Sequence, residues 1–233
     1  MLDRITFTGP DDGTDFNQLI QISNQHPYVE WGILASISQG GYPRYPSQKW
    51  FKTIQPEAGL QLSLHLCGRW VRYLLVGEIT FPTELLGPFQ RVQLNFHAER
   101  TDCKPQEFAK ALETLGPKQF IFQIDGTHGN QHLTALKEIN PKINAVPLFD
   151  ISGGAGILPD SWPKPQPEFD YHGYAGGLGP DNLATQIPLI KQAANNARIW
   201  IDMETKVRSP DDRNFMLDKV NTCLELAKPH IGQ

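Results

Sequence analysis

What the sequence lacks narrows its class before any motif is read. It has no block of lysine or arginine: 21 basic residues against 25 acidic ones leave a net charge of −4, and that distribution offers a nucleic-acid backbone no basic face. A nucleic-acid partner is therefore not expected. No apolar run approaches the roughly 20 residues that cross a bilayer. The opening MLDRITFTG enters a strand pattern at once, without the charged-then-apolar layout of a signal peptide. The expectation is a cytoplasmic chain with no membrane partner. Cysteine is scarce: Cys67, Cys103 and Cys223 are odd in number and irregularly spaced, so no disulfide framework is implied and reduced thiols are expected. Repeats of roughly 20–50 residues and low-complexity tracts are also missing, which excludes a solenoid or array.

What is present is enough apolar material for one core. A length of 233 residues at 39% hydrophobic suits a single domain, 1–233, and leaves little for a second. Apolar runs bounded by turn residues occur at 4–9, 29–35, 60–68, 91–98, 118–125, 144–150, 169–176 and 198–204. Between most of them lie helix-like patterns: DFNQLIQISNQ, SQKWFKTIQ, PQEFAKALETL, GNQHLTALKEI, NLATQIPLIKQAANN and RNFMLDKVNTCLELAK. Alternating strand and helix implies a parallel sheet, and eight strands in a chain this long most simply close into an α/β (β/α)₈ TIM barrel with function at the carboxyl ends of the strands. An open doubly wound sheet is the alternative. Two connections are weak: RWVRYLLVGEITFPTELLG after the third strand, and ISGGAGILPDSWPKPQPE after the sixth, which is too rich in Pro and Gly for a regular helix.

The two-residue period of a strand sorts the side chains. In LQLSLHLCG the leucines share one face, leaving Gln61, Ser63, His65 and Cys67 on the other; RVQLNFHA likewise sets Val92, Leu94 and Phe96 against Gln93, Asn95 and His97. Apolar sets should face the surrounding helices and polar sets the bore. On that rule Thr6, Thr8, Gln123, Asp125, Asp150, His172, Tyr174, Asp202 and Glu204 point inward too, which predicts an unusually polar bore. The alternative is that such groups only satisfy one another in a structural network. Convergence of several at the carboxyl ends favours a site.

Several local motifs, in the same order on the same strands, resemble phosphoribosylanthranilate isomerase, a (β/α)₈ enzyme of tryptophan biosynthesis. GGYPRYPS (40–47) looks like the family's S-P-R-Y-V-S loop, VQLN (92–95) like V-Q-L-H-G, and LFDISGGAG like the L-L-D and G-G-[ST]-G of the sixth strand. AGGLGPDN (175–182) is very close to A-G-G-L-x-P-[ED]-N, and IDMETKVRSPDD (201–212) looks like D-V-S-S-G-V-E. The resemblance implies Asp150 as general acid, with GGAG as the loop over the site. It implies Arg44, Asn95 and Asp202 on substrate, and Gly176 and Gly177 on a phosphate, with Lys206 offsetting the missing glycine of the last motif. Glycines ahead of a helix start expose amides to an anion, the physical requirement for phosphate.

One departure is large. The family's base is a cysteine near the end of the first strand; here ITFTG puts Thr8 there. A thiol near pKa about 8.5 can be tuned to neutrality, whereas a threonine hydroxyl cannot act as such a base. The polar faces offer Cys67 and His97 as catalytic replacements, and His65 behind them. His65, Cys67 and His97 could also hold zinc, but no tight ligand spacing accompanies them, so no metal is expected. GTHGN (126–130) lacks the lysine of a P-loop. The expected function is an isomerase acting by acid/base catalysis on a phosphoribosyl or related phosphosugar, without cofactor, with a small anionic substrate as partner. A phosphosugar lyase or epimerase, or a binding-only barrel, are the alternatives.

Overall fold

Each of the eight apolar runs forms a strand. In the computed structural model, which describes residues 1–54, 59–97, 102–125, 130–151 and 155–232, the strands are β1 (Leu2–Thr8), β2 (Val29–Ala35), β3 (Gln61–Cys67), β4 (Arg91–Asn95), β5 (Gln119–Ile124), β6 (Ala145–Phe149), β7 (Tyr171–Ala175) and β8 (Arg198–Met203). All neighbours pair in parallel, and β1 pairs with β8 to close the barrel in sequence order. This is a (β/α)₈ TIM barrel.

The helices are α1 (Phe16–Gln25), α2 (Gln48–Phe51), α3 (Arg69–Leu75), α4 (Pro105–Thr114), α5 (Gln131–Ile139), α6 (Leu183–Ala194) and α7 (Leu217–Ala227). Leu62, Leu64, Leu66, Val92 and Leu94 turn outward as expected and join the helices in the main core. A smaller apolar cluster of Ile121, Val146, Leu148, Tyr171 and Trp200 fills part of the bore. No helix among the described residues is long and apolar enough to cross a membrane.

The two weak connections resolve differently. After β3 the chain forms α3, which stops at Gly77 with φ 89° and a Glu78 N–H reaching back to Tyr73 O. The helical pattern at 47–55 shortens to the single turn of α2, where the Thr53 hydroxyl bonds back to Trp50 O. Between β6 and β7 no helix forms among the described residues, because prolines 159, 163, 165 and 167 remove the donors a helix needs. That segment is pinned by Trp162 Nε1 on Gln186 Oε1 (2.9 Å) and by Tyr174 OH on Pro163 O (3.0 Å).

One inward assignment is reversed. On β7 it is Tyr171, Gly173 and Ala175 that face the bore, while His172 and Tyr174 point out. A Cβ at Gly173 would lie 2.3 Å from Trp200 Cζ2, so glycine is what lets the indole cross the bore. His172 instead stacks on Phe149 at 12°, and its Nε2 accepts the Gln166 N–H at 3.0 Å from the irregular connection. The sorting rule failed there because polarity was read without asking what covered the outer face.

Candidate active site

The floor of the bore is a charge cluster. Glu30, fully buried on β2, accepts Arg4 Nη1, Arg91 Nη1 and Thr6 Oγ1, each at 2.8 Å. Arg91 also lies 4.1 Å over the Trp200 ring. Neither Glu30 nor Arg91 was singled out from the sequence. The available signal was a lone acid inside the otherwise apolar run VEWGILA, since a charge buried in such a run needs a partner. Above this floor sits His65, whose pKa burial and the neighbouring Arg91 push down to about 3, so it stays a neutral ring.

Higher still, three carboxylates line one cleft: Asp150 after β6, Asp202 on β8 and Glu204 just beyond it. Thr8 Oγ1 donates to Asp202 Oδ1 at 2.8 Å. Space for this pair comes from Gly32, where a Cβ would lie 2.2 Å from Thr8 Oγ1 and 2.9 Å from His65 Nε2. Burial raises the Asp202 pKa well above the usual carboxylate range, against the pull of the Thr8 hydrogen bond. Asp150 Oδ2 accepts Gln123 Nε2 at 2.9 Å. Gln93 also lines the cleft; its Nε2 donates to Asn95 Oδ1 at 2.9 Å, while its Oε1 is buried with no protein partner among the described residues.

The same cleft is lined by the turn Gly176–Gly177–Leu178, next to Asp202 across the β7–β8 pairing, and by Lys206. Gly177 has φ 65°, and a Cβ there would stand 2.6 Å from Leu158 N, so the turn and the 156–158 backbone pack directly on each other. Asn182 ahead of α6 ties the turn by accepting Gly179 N–H at 3.1 Å and donating to Gly177 O at 2.9 Å. Gly153 and Gly154 of the GGAG segment lie outside the described residues. Gly156 is described, and it closes on Thr205. Residues 126–129 of GTHGN also lie outside the described residues. The cleft encloses a free volume of about 50 Å³.

No family model and no curated protein matches the sequence. Among solved structures, a chitinase from Ipomoea carnea is similar over 98% of this chain and 100% of its own, at 12% identity and a TM-score of 0.50. The likeness is one of fold.

Of the residues singled out from the sequence, Asp150, Asp202, Gly176, Gly177 and Lys206 meet on the cleft. Gln93 and Glu204, read from the sequence as inward-facing, line it too, whereas Arg44, Asn95, Cys67 and His97 stand apart from its lining. Cys67, at the end of β3, receives Asn95 Nδ2 at 3.3 Å and a hydrogen bond from Tyr45. Burial nonetheless pushes its pKa up to about 12, and a thiol held protonated is a poor base. His97 sits exposed on the rim with Nδ1 2.5 Å from Asp125 Oδ2. Among the described residues no group of three His, Cys, Asp or Glu side chains is arranged to hold a metal.

Arg44 is engaged by the protein itself. With φ 73° and its N–H on Asp11 Oδ2, it extends Nη1 to Glu204 (2.5 Å) and Nε to Asp212 (2.8 Å). Asp212 and Asp11 are shared with the buried Arg208, which donates Nε to Asp212 Oδ1 at 2.7 Å, Nη2 to Asp11 Oδ2 at 2.9 Å and Nη1 to Gly9 O at 2.6 Å. Burial raises the Glu204 pKa against Arg44, and Asp150 adds to the rise; a third of the Glu204 side chain reaches solvent, which softens the effect.

Proposed function

We propose that the chain is an acid/base enzyme acting on a small phosphosugar, with an aldose–ketose isomerisation as the reaction. The observation that carries this reading is the meeting of two aspartates from different strands, Asp150 and Asp202, with a glycine turn ahead of a helix and a lysine on one cleft. Backbone amides of the Gly176–Leu178 turn and the Lys206 ammonium, all on the cleft, suit a phosphate. Asp150 then protonates the sugar's ring oxygen and takes up the anomeric hydroxyl proton as the ring opens to the aldehyde. Asp202 takes the C2 proton while Asp150 protonates the carbonyl oxygen, giving the enediol; Asp202 then returns its proton to C1 as the 2-hydroxyl proton passes back to Asp150, leaving the ketose. Raising the proton affinity of Asp202 makes it a stronger base than an ordinary aspartate and brings it toward the working pH. The motif resemblance supports the same roles for Asp150, Gly176 and Gly177; its own substrate, phosphoribosylanthranilate, is the one form that needs Arg44 free, and it calls for a separate test. The likeness to the chitinase, at 12% identity, is one of fold and gives no reason to propose a polysaccharide.

A binding-only barrel is the second reading, and Thr8 favours it, because its hydroxyl stands where the resemblance puts a thiol base. Incubation with aldose phosphates in heavy water, followed by NMR, separates the two. Deuterium incorporation beside the carbonyl that is lost in Asp150→Asn and in Asp202→Asn supports the enzyme. Thermal stabilisation by inorganic phosphate without exchange supports binding alone, and no stabilisation by any phosphate overturns both. Consumption of phosphoribosylanthranilate, followed by its fluorescence, tests the form that needs Arg44 free.

A further inference from the structure

Arg44 has the chemistry to receive a ligand's carboxylate, but its charge is already matched. Its guanidinium spans Glu204 and Asp212, and its backbone is fixed by Asp11 in a left-handed conformation. At this rim two guanidinium groups, Arg44 and Arg208, face three carboxylates, Asp11, Asp212 and Glu204. A ligand carboxylate would have to displace Glu204. The part-exposed pair itself contributes little, so exchange alone is nearly neutral. The displaced Glu204, however, remains tethered two residues from Asp202 and on the same cleft as Asp150. Like charges would then crowd one small cavity.

A second, independent observation concerns Gln93. Its amide is oriented by donation to Asn95, and its Oε1 is left buried without a partner. A buried acceptor in that state is unfavourable unless a donor meets it. With Asp150, Asp202 and Glu204 also on the cleft, what complements this wall is a ligand that donates hydrogen bonds. A hydroxyl does so and a carboxylate does not.

We propose that Glu204 sets the specificity of the cleft: by occupying Arg44 it excludes ligands that carry a carboxylate and reserves the site for polyols with no negative charge beyond a phosphate. The inference rests on the reading of the cleft as a phosphosugar site and narrows its substrate class. Phosphoribosylanthranilate, which carries a carboxylate, falls on the excluded side.

Calorimetry with a matched pair, glycerol phosphate and phosphoglycerate, tests it on wild type and Glu204→Gln. Wild type should bind glycerol phosphate about tenfold more tightly, and Glu204→Gln should narrow that ratio about fivefold or more, through a gain for phosphoglycerate. Equal binding by wild type, or an unchanged ratio in the variant, overturns the proposal. Should neither phosphate ester bind, the phosphate reading fails, and a phosphate-free pair, ribitol and ribonate, decides the role of Glu204 separately. Preference for ribitol, reduced in the variant, upholds it; equal binding, or none, overturns it.

Discussion

Thr8 and Asp202 meet across the seam that closes the barrel, the threonine Oγ1 at the end of β1 donating to the aspartate Oδ1 on β8 over 2.8 Å. The residue standing where the resemblance expects a base thus serves as an orienting donor to a carboxyl that can transfer protons. Thr8→Val keeps the shape and removes the donor. It should destabilise the protein by about 1–3 kcal/mol in urea unfolding, with Thr8→Ser recovering most of the loss. The serine should also restore any exchange activity that the valine lowers.

Asp202 should make stability fall with rising pH. Its folded pKa is raised by burial, so the folded state holds the proton more tightly than the unfolded chain. Its favourable contribution is complete below the ordinary aspartate range and is lost as pH climbs through the folded value. Asp202→Asn should reduce that slope, leaving the smaller share that the raised Glu204 carries in the same direction, and be the more stable protein at the alkaline end. Urea midpoints from pH 4 upward measure it. His65 acts with the opposite sign on the acid side, between its ordinary range and about 3, so Asp202→Asn should leave the acid limb in place.

Glu30 should be the costliest polar residue to alter. Arg4 and Arg91 both rest on its carboxylate, and the Arg91 side chain is almost fully buried. Glu30→Gln strands a buried guanidinium, a change worth about 3–5 kcal/mol. The double variant Glu30→Gln with Arg91→Met should be less damaging than the sum of its parts, which a double-mutant cycle would show.

Cys67 should be chemically quiet. A thiol pushed up to about 12 reacts slowly with iodoacetamide near neutral pH, and Cys67→Ser should leave proton exchange within a fewfold of wild type. Rapid alkylation, or a loss of exchange comparable to Asp150→Asn, would return Cys67 to the catalytic role first assigned to it.

The strands were readable because the apolar faces of 60–68 and 91–98 keep a strict two-residue alternation, and the closed barrel followed from alternation with helices. The cleft was half readable. Asp150, Gly176 and Gly177 lie in recognisable motifs, whereas Glu204 gains its meaning from Arg44, distant in sequence, and Gln93 from a buried Oε1 whose lack of a partner among the described residues shows only in the folded packing. Arg44 was read by motif alone; that Glu204 and Asp212 both reach its guanidinium, across 160 and 168 residues, is information held in the closure of the sheet. The inversion of β7 was invisible for a related reason. Gly173 decides it by admitting Trp200 from the neighbouring strand.

Arg208 bears on the order in which the molecule assembles. Its bond to Gly9 O joins residues 199 apart in sequence, and its partners lie on the loops that follow the first and last strands. Bringing those loops together demands that the intervening chain already be in place, so the contact belongs to the late part of folding. A contact made after the barrier leaves the folding rate nearly untouched and instead holds the finished barrel shut. The arginine therefore governs the lifetime of the native state more than the speed with which it is reached.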